Sequence, residues 1–511
     1  MASIPVERGT AQWSSRFAFI MAAVGSSVGL GNLWRFSAEL GTNGGAAFLT
    51  IYIACIVFVG IPVLMSEYII GRAGNASSAV GSSNDLADRS GVSKLWSSGA
   101  WFGMIASFLI VSFYCVVAAW VLAYIPKFLF GTFAGMPAGE IEQQFGNLIN
   151  SRNESFPWFH NLLPWFFFFG LLTSWLVARG VNKGIELAAR LLMPIFFLLL
   201  LLLAAYSIIS SISSGGTADA FAFMFTPDFD KITPDVALSA LGQACFSIGI
   251  GNAIMITYGS YLPRDVSIPK SAVTVSLVDT CVAIIAGLAI FPVVFANDLD
   301  FEAGAGIFFT TLPTAMSNAP GGMIVGAAFF FLAFFAAITS SVSLLEPSVA
   351  YLAEKTGWSK RKAAWIAGAG IISLGLVSVY SIEFMDFLDG GLAGPILAPL
   401  SALLIVLFTG WRLNKAILSQ EMAGEGEKLG HFIMVFVRYV APVFMGFVLV
   451  FGILDKYEDV AVVAWVKNQF VDHGLLLILI GFVVFYLKKI SEQGMPQVVR
   501  GTDTVNSEVS E

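Results

Sequence analysis

Long apolar segments separated by short polar stretches dominate the chain. About twelve such segments run near residues 17–40, 46–70, 98–129, 162–179, 185–211, 236–258, 271–296, 321–352, 363–380, 388–410, 431–454 and 470–487. Each is close to the roughly 20 residues that an α-helix needs to cross a hydrocarbon core of about 30 Å. The pattern therefore predicts an all-α integral membrane protein with about twelve transmembrane helices.

The first and the sixth of these segments are interrupted by almost the same short motif. The two copies read Ser27-Val28-Gly29-Leu30-Gly31-Asn32 and Ser247-Ile248-Gly249-Ile250-Gly251-Asn252. Glycine weakens a helix, and backbone groups freed inside a membrane must find partners in protein or in a cavity. One such motif equally suits close helix packing, as in Gly-x-x-x-Gly interfaces. The matched pair favours two broken helices that carry a transporter's binding site.

Charge alternates between the connecting loops. Loops after the second, fourth, sixth and eighth segments are basic, and the loops on the other side are acidic. Because basic loops stay in the cytoplasm, both termini are predicted to be cytoplasmic. Only 12% of the residues are charged, against about 25% in soluble proteins. The modest net charge of −7 argues against a nucleic-acid partner.

The sequence has no arrangement typical of an enzyme. Its only histidines, His160, His431 and His473, are far apart. We find no Cys/His cluster for a metal, no phosphate-binding glycine loop and no evident Ser/His pair. The sequence therefore favours a protein without catalytic residues.

Oxygen-bearing residues in the later segments indicate a cation site instead. Ala336, Thr339 and Ser340 are spaced i, i+3 and i+4, so a carbonyl and two hydroxyls share one helix face. Hard cations such as sodium prefer oxygen ligands, although Ser and Thr in membrane helices more often bond to their own backbone. Asp279 lies well inside the seventh segment, where a carboxylate is a functional candidate, with a neutral structural hydrogen bond as the alternative. Glu67 equally suits a structural role.

Several motifs in order show a resemblance to a known family. The matching stretches are Gly29-Leu30-Gly31-Asn32-Leu33-Trp34-Arg35-Phe36, Asn43-Gly44-Gly45, Gly60-Ile61-Pro62, Arg179-Gly180-Val181-Asn182-Lys183-Gly184-Ile185-Glu186, Thr226-Pro227-Asp228-Phe229, Thr257-Tyr258 and Ile338-Thr339-Ser340-Ser341. The chain resembles the neurotransmitter:sodium symporters, in particular the bacterial amino-acid transporters with the LeuT-type fold, from about Trp13 to Trp411. The last two segments match only in position and hydropathy.

The resemblance implies inverted five-helix repeats in which helices 1 and 6 are broken. The expected organisation is a cytoplasmic N-terminus (1–12), a first repeat of five helices (13–212), an extracellular loop (213–233), a second repeat (234–411), two further helices (412–490) and a disordered cytoplasmic tail (491–511). The outer loop at 297–319 is apolar enough to pack over the protein like a lid, or to be an ordinary ordered loop.

The resemblance also implies two sodium sites, one substrate site and two gates. The first sodium site would use Ser27, Asn32, Ser247 and Asp279, and the second Gly25, Val28, Ala336, Thr339 and Ser340. The substrate pocket would be lined by Ser26, Gly29, Gly31, Ile110, Val111, Tyr114, Phe246, Ser247, Gly249, Asn252, Ser340 and Leu344. The outer gate would pair Arg35 with Asp386, and the inner gate would include Trp13, Arg8, Tyr261 and Glu354.

Two departures from the family pattern shape the predicted function. Gly29 stands where monoamine carriers place an aspartate, so the substrate is expected to bring its own carboxylate, as amino acids do. Asp279 and Ala283 stand where relatives have asparagine and serine or glutamate, which argues against a chloride requirement. We hypothesise that Asp279 supplies the balancing negative charge, with proton counter-transport after sodium leaves.

The predicted function is therefore a sodium-coupled symporter that imports an amino acid by alternating access, in contact with the lipid bilayer. An ion channel and a non-transporting amino-acid receptor of the same fold are the alternatives. The sequence has no repeated filter motif or charged ring typical of a channel. Space at Gly249 and the amide of Asn252 favour a small or polar substrate, although Asn252 could equally face its own helix. The oligomeric state is not predicted.

Overall fold

The described residues form helices joined by turns and loops. The structure is a computed structural model that describes residues 12–150, 160–299, 306–317 and 319–456. Its main helices are α1 (Arg16–Ser27), α2 (Gly31–Thr42), α3 (Ala46–Ala73), α4 (Ala79–Arg89), α5 (Lys94–Leu129), α6 (Ala138–Asn150), α7 (Leu163–Ala178), α8 (Val181–Ser210), α9 (Gly216–Phe225), α10 (Pro234–Ile248), α11 (Ile254–Ser260), α12 (Ile268–Ala296), α13 (Leu312–Ser317), α14 (Gly322–Thr356), α15 (Lys360–Tyr380), α16 (Ile382–Arg412), α17 (Lys415–Met422) and α18 (Glu427–Leu454).

The helix lengths agree with a protein that crosses a membrane many times. Among the described residues, eight helices are long and apolar enough to span a bilayer, and the bent pair α1–α2 makes a ninth. Two shorter apolar helices are also present. Helix α7 corresponds to the fourth predicted segment, and α10 to the first half of the sixth. With these two, the described residues account for the first eleven predicted segments. The twelfth, near 470–487, and the tail at 491–511 lie outside the described residues, so the count of twelve stays a prediction.

The outer surface of α8 shows how the helices meet lipid. Its apolar side chains Leu187, Leu191, Ile195, Leu198 and Leu202 recur every three or four residues and are all well exposed. A stripe with this spacing lies along one side of a helix. In water it would be an aggregation-prone surface, whereas in a bilayer it faces acyl chains.

The outer loop at 306–317 packs onto the helices. Phe309 is fully buried, and its carbonyl accepts a hydrogen bond from the Tyr124 hydroxyl at 2.9 Å. Its ring stacks on Phe145 and meets Trp34 of α2 edge to face, with centroids 6.3 Å apart. The described part of the loop therefore packs against α2 and α5, which agrees equally with the lid prediction and with an ordinary ordered loop.

A buried ion-pair cluster ties α17 to the end of α3. The Nε atom of Arg72 donates to Glu421 at 2.6 Å, and Arg264 pairs with the other carboxylate oxygen of Glu421. The side chains of Arg72 and Glu421 are 5% and 2% exposed. Because both charges of this pair are desolvated, removal of one partner would leave the other uncompensated.

Candidate functional site

The first span is broken at the predicted place. Helix α1 ends at Ser27, and Val28 is extended, with φ −73° and ψ 96°. Helix α2 begins at Gly31 with a π-helical turn, and its axis is bent by 56° from that of α1. The prediction of a break within residues 26–31 is confirmed.

The broken segment frees carbonyl oxygens because its N–H groups bond elsewhere. In a continuous helix, the N–H groups of Gly29 and Leu30 would bond to the carbonyls of Gly25 and Ser26. Here the Gly29 N–H donates to Asn32 Oδ1 at 3.1 Å, and the Leu30 N–H donates to the Tyr114 hydroxyl at 3.2 Å. The carbonyls of residues 25 and 26 therefore lose their helical partners without leaving those N–H groups unpaired.

These freed carbonyls converge on Ser340 of α14. Its hydroxyl oxygen lies 3.4 Å from Gly25 O, 3.2 Å from Ser26 O and 3.4 Å from Val28 O. A hydroxyl has one hydrogen to donate, so it satisfies only one of the three acceptors at a time. Such a surplus of oxygen lone pairs in a buried place is the environment that a small hard cation stabilises.

Thr339 and Ala336 complete the predicted second sodium set on the same helix. The Thr339 hydroxyl donates within α14, to Phe335 O at 2.9 Å and Ala336 O at 3.1 Å. A Cβ added at Gly25 would lie 3.3 Å from Thr339 Cβ, so α1 and α14 are in close contact here. The structure thus brings Ser340 and Thr339 against the segment of Gly25 and Val28, with Ala336 one turn away on α14.

The sixth span is broken between α10 and α11. Gly249 and Gly251 have φ of +70° and +76°, and Ala253 has φ +56°, a left-handed conformation that is uncommon for alanine. A Cβ on Gly251 would lie 2.2 Å from Ala398 O. The Gly251 N–H donates to Glu67 Oε1 at 2.7 Å, so Glu67 holds a backbone group that the break frees. This break is also confirmed.

The predicted first sodium set forms a hydrogen-bonded network between the two breaks. Asp279 accepts from Asn32 Nδ2 at 2.8 Å and from Ser247 Oγ at 2.6 Å, and is fully buried. The Ser27 hydroxyl donates to Ile248 O at 3.0 Å, next to Ser247. The structure therefore brings a carboxylate, an amide and two hydroxyls to one buried place.

The predicted substrate residues lie on α5, on α14 and at the two breaks. Ile110, Val111, Tyr114 and Leu344 are all buried. A Cβ at Gly29 would lie 2.7 Å from Ser340 Oγ and 3.2 Å from the Tyr114 hydroxyl oxygen, which places all three together. The hydroxyl of Ser26 is buried without a hydrogen-bond partner.

Phe246 packs against the start of α2, next to the first break. A Cβ at Gly31 would lie 2.6 Å from its ring, so glycine there permits the contact. The guanidinium of Arg35 lies 4.5 Å from the centroid of the same ring. The Phe246 ring and the Arg35 guanidinium are therefore in direct contact.

The predicted outer pair of Arg35 with Asp386 is not among the ion pairs of the described residues. Arg35 instead lies 4.0 Å from Glu39, one turn away on the same helix, and Asp386 is exposed. Asp389, three residues further along α16, interacts electrostatically with Arg35. Asp389 lies in a π-helical stretch, Phe387–Leu397, that begins directly after Asp386.

The segment that precedes α1 packs against α11. Trp13 is 3% exposed, and its indole N–H donates to Tyr258 O at 3.1 Å. The Tyr261 hydroxyl donates to Glu346 at 2.8 Å, and Lys360 also pairs with Glu346.

Glu354 makes its hydrogen bonds to the segment before α4, whereas the Tyr261 hydroxyl bonds to Glu346. Glu354 accepts the N–H groups of Ser77 and Ser78 at 2.9 Å each, next to the start of α4. This carboxylate binds backbone donors because those N–H groups precede a helix. Arg8, the remaining predicted gate residue, lies outside the described residues.

Sequence reasoning missed four contributors to the site. Tyr52 donates to Ser247 Oγ at 3.1 Å, and Gln243 donates to Gly31 O at 3.2 Å. Glu346 and Asp389 are the other two. Glu346 is a buried acid in an apolar helix, so the rule that selected Asp279 would have found it. Tyr52 and Gln243 carry no comparable signal in one sequence.

The comparisons with known proteins decide the family. A sequence model described as "Sodium:neurotransmitter symporter family" matches residues 10–138 and 160–491. The chain belongs to this family. It is therefore a sodium-coupled symporter and a multi-pass membrane protein, a class of transporters rather than of enzymes.

Two relatives of this symporter come from bacteria. The uncharacterized sodium-dependent transporter YhdH of Bacillus subtilis is 34% identical, with 88% of this chain and 99% of that protein covered. An uncharacterized sodium-dependent transporter of Haemophilus influenzae is 30% identical, with 87% and 98% covered.

A solved structure supports the fold of the symporter. The crystal structure of MhsT in complex with L-phenylalanine matches with a TM-score of 0.77 and 39% identity, and covers 87% of this chain and 100% of that chain. The LeuT-type fold expected from the sequence is confirmed by this likeness.

Proposed function

We propose that this symporter imports an amino acid by alternating access, coupled to two sodium ions that bind beside one substrate site. The observation that carries the proposal is the set of freed carbonyls around Ser340 of α14. Sodium bound there joins α1 to α14, and so favours the arrangement in which the two helices touch. Both termini are cytoplasmic in this proposal, and the protein lies in the inner membrane with the domain organisation expected from the sequence.

The second sodium ion binds in the network of Asn32, Ser247 and Asp279. The Asn32 amide now turns its NH₂ group toward Asp279 and its Oδ1 toward the Gly29 N–H. A cation at this place requires the amide to present its oxygen instead, which releases the Gly29 N–H. A substrate carboxylate at the break can accept that N–H and coordinate the ion.

An amino acid fits this requirement because it carries its own carboxylate. The bound L-phenylalanine in the MhsT complex supports an amino-acid substrate here. Ion and carboxylate then stabilise each other, and this contact is the reciprocal coupling free energy of symport. Inward movement of net positive charge also draws on the membrane potential, about 2.3 kcal/mol per charge per 100 mV.

Chloride has no role in the proposed cycle. Asp279 is fully buried at the first sodium site and supplies a negative charge beside the ion. Ala283, one turn further along α12, is also buried and has no group to coordinate an anion. In this proposal a proton occupies Asp279 after sodium leaves, so that the empty carrier returns without an unbalanced buried charge.

The experiment is uptake by the purified protein in liposomes, with a panel of amino acids and an inward sodium gradient. We expect saturable uptake that stops when potassium replaces sodium, and that persists when gluconate replaces chloride. Ser247→Ala and Thr339→Ala should each raise the sodium concentration for half-maximal uptake. Thr50→Ala is the matched control, because its hydroxyl also bonds within its own helix but lies in α3 away from the site.

Three results would contradict the proposal. Uptake that does not depend on sodium would contradict sodium coupling. Uptake that stops without chloride would contradict the proposed role of Asp279. Unchanged sodium dependence in both Ser247→Ala and Thr339→Ala would contradict the assignment of the two sodium sites.

A further inference from the structure

The break in the sixth span holds a buried polar group that its own helices leave unpaired. Asn252 is 8% exposed, and its side-chain oxygen Oδ1 has no hydrogen-bond partner. A buried acceptor without a partner costs about 1–3 kcal/mol. The backbone carbonyl of the same residue is satisfied, because it accepts from the Ser107 hydroxyl. Only the side chain therefore still needs a donor.

The position of Asn252 relates it to the predicted substrate pocket. Ser107, Ile110, Val111 and Tyr114 are spaced i, i+3, i+4 and i+7 along α5, so they lie on one face. Tyr114 contacts the first break through Leu30, and Ser107 contacts the second break through Asn252. The two ends of this face are seven residues apart, or about 10 Å at 1.5 Å per residue.

There is also room beside this break. A Cβ added at Gly249 would meet no other atom within 4 Å. An amino acid whose carboxylate lies at the first break can extend its side chain past Ile110 and Val111 into this space. Its far end then comes to Asn252.

We propose that Asn252 selects substrates whose side chain donates a hydrogen bond, that is, amino acids with an uncharged amide or hydroxyl group. The inference rests on the proposed amino-acid symport and names its substrate class. Selection follows because an apolar side chain of the same shape would leave Oδ1 buried and unpaired in the loaded transporter.

Asparagine and leucine are nearly isosteric, so their competition against sodium-driven uptake tests the proposal in the unaltered protein. Glutamine and methionine form a second matched pair. We expect each amide substrate to compete at least about tenfold better than its apolar partner, as one unpaired buried group predicts. Equal competition, or better competition by leucine or by phenylalanine, overturns the proposal.

The substitution Asn252→Leu removes the amide at nearly constant volume. We expect the preference within both pairs to fall by about tenfold or to reverse. Ser378→Ala is the matched control, because it removes another buried and unpaired polar group, in α15 and outside the pocket. Unchanged selectivity in Asn252→Leu shows that a water molecule or the protein itself satisfies Oδ1, and also overturns the proposal.

The outcome separates this inference from the proposed function. If no amino acid is taken up with sodium, the proposed function fails. If apolar amino acids are taken up with sodium and the substitution leaves their preference unchanged, only the inference fails. Should Asn252→Leu not fold, the two isosteric pairs in the unaltered protein still decide.

Discussion

The oxygen cluster around Ser340 gives a quantitative prediction for Ser340→Ala. The substitution removes one neutral ligand of the proposed second sodium site and leaves the carbonyls of Gly25, Ser26 and Val28 in place. A hydrogen-bonding group next to a charge contributes about 1.5–3 kcal/mol. We take the lower end because the remaining oxygens still coordinate the ion. The sodium dissociation constant should therefore rise about tenfold.

Sodium-dependent thermal stability of the purified protein, without substrate, measures this change directly. A ligand at 100 times its dissociation constant stabilises the folded state by about 2.7 kcal/mol, and at 10 times by about 1.4 kcal/mol. At a sodium concentration that saturates the unaltered protein, Ser340→Ala should lose about 1.3 kcal/mol of that gain. The quantity to compare is the gain in unfolding free energy that sodium produces in each protein. The stabilities themselves cannot be compared directly, because the substitution also changes the stability of the ion-free protein.

Ser341→Ala is the matched control for this measurement. Ser341 is the next residue of α14 and fully buried, but its hydroxyl bonds to Ile338 O and to Thr173, away from the α1–α2 break. The gain in stability that sodium produces in Ser341→Ala should equal the gain in the unaltered protein. If sodium stabilises Ser340→Ala and Ser341→Ala by the same amount, Ser340 is not a sodium ligand and the reasoning is refuted.

Three further predictions follow from other contacts. Glu67→Ala leaves the Gly251 N–H without its acceptor and should lower the unfolding free energy by about 1–3 kcal/mol, seen as a lower melting temperature. Gly251→Ala should prevent stable folding because its Cβ would lie 2.2 Å from Ala398 O, whereas Gly242→Ala, with no atom within 4 Å, should fold normally in size-exclusion chromatography. Trp13→Ala removes the indole that donates to Tyr258 O, so the segment before α1 should pack less tightly. A cysteine introduced beside position 13 should then react faster with a soluble thiol reagent. An unchanged rate would contradict this role of Trp13.

The breaks themselves could be predicted from the sequence because paired glycines weaken a helix locally, and the same motif occurs in two apolar segments. Which groups satisfy the freed backbone could not be predicted. Glu67 is 184 residues from Gly251, and Tyr114 is 84 residues from Leu30, so each pairing depends on how the helices pack. A single sequence has no periodicity that connects positions so far apart.

The acids predicted for the two gates also could not be chosen from the sequence, although here the competing residues are close together in the chain. Two acids three residues apart, Asp386 and Asp389, are equally plausible partners for Arg35 until the π-helical turns of α16 are known. Glu346 and Glu354 on α14 likewise differ by eight residues, about two turns. The sequence places acids near each gate, but the choice between neighbouring acids depends on the exact rotation of the helix.

The single hydrogen of Ser340 has a consequence for the emptied carrier. Three acceptors compete for that hydrogen, so contact between α1 and α14 is electrostatically unfavourable once the ion has left. Hydration of the vacated oxygens relieves the repulsion only if the two helices part and admit water. In the proposed transport cycle, release of the ion from this site therefore favours separation of α1 from α14 and the entry of water between them.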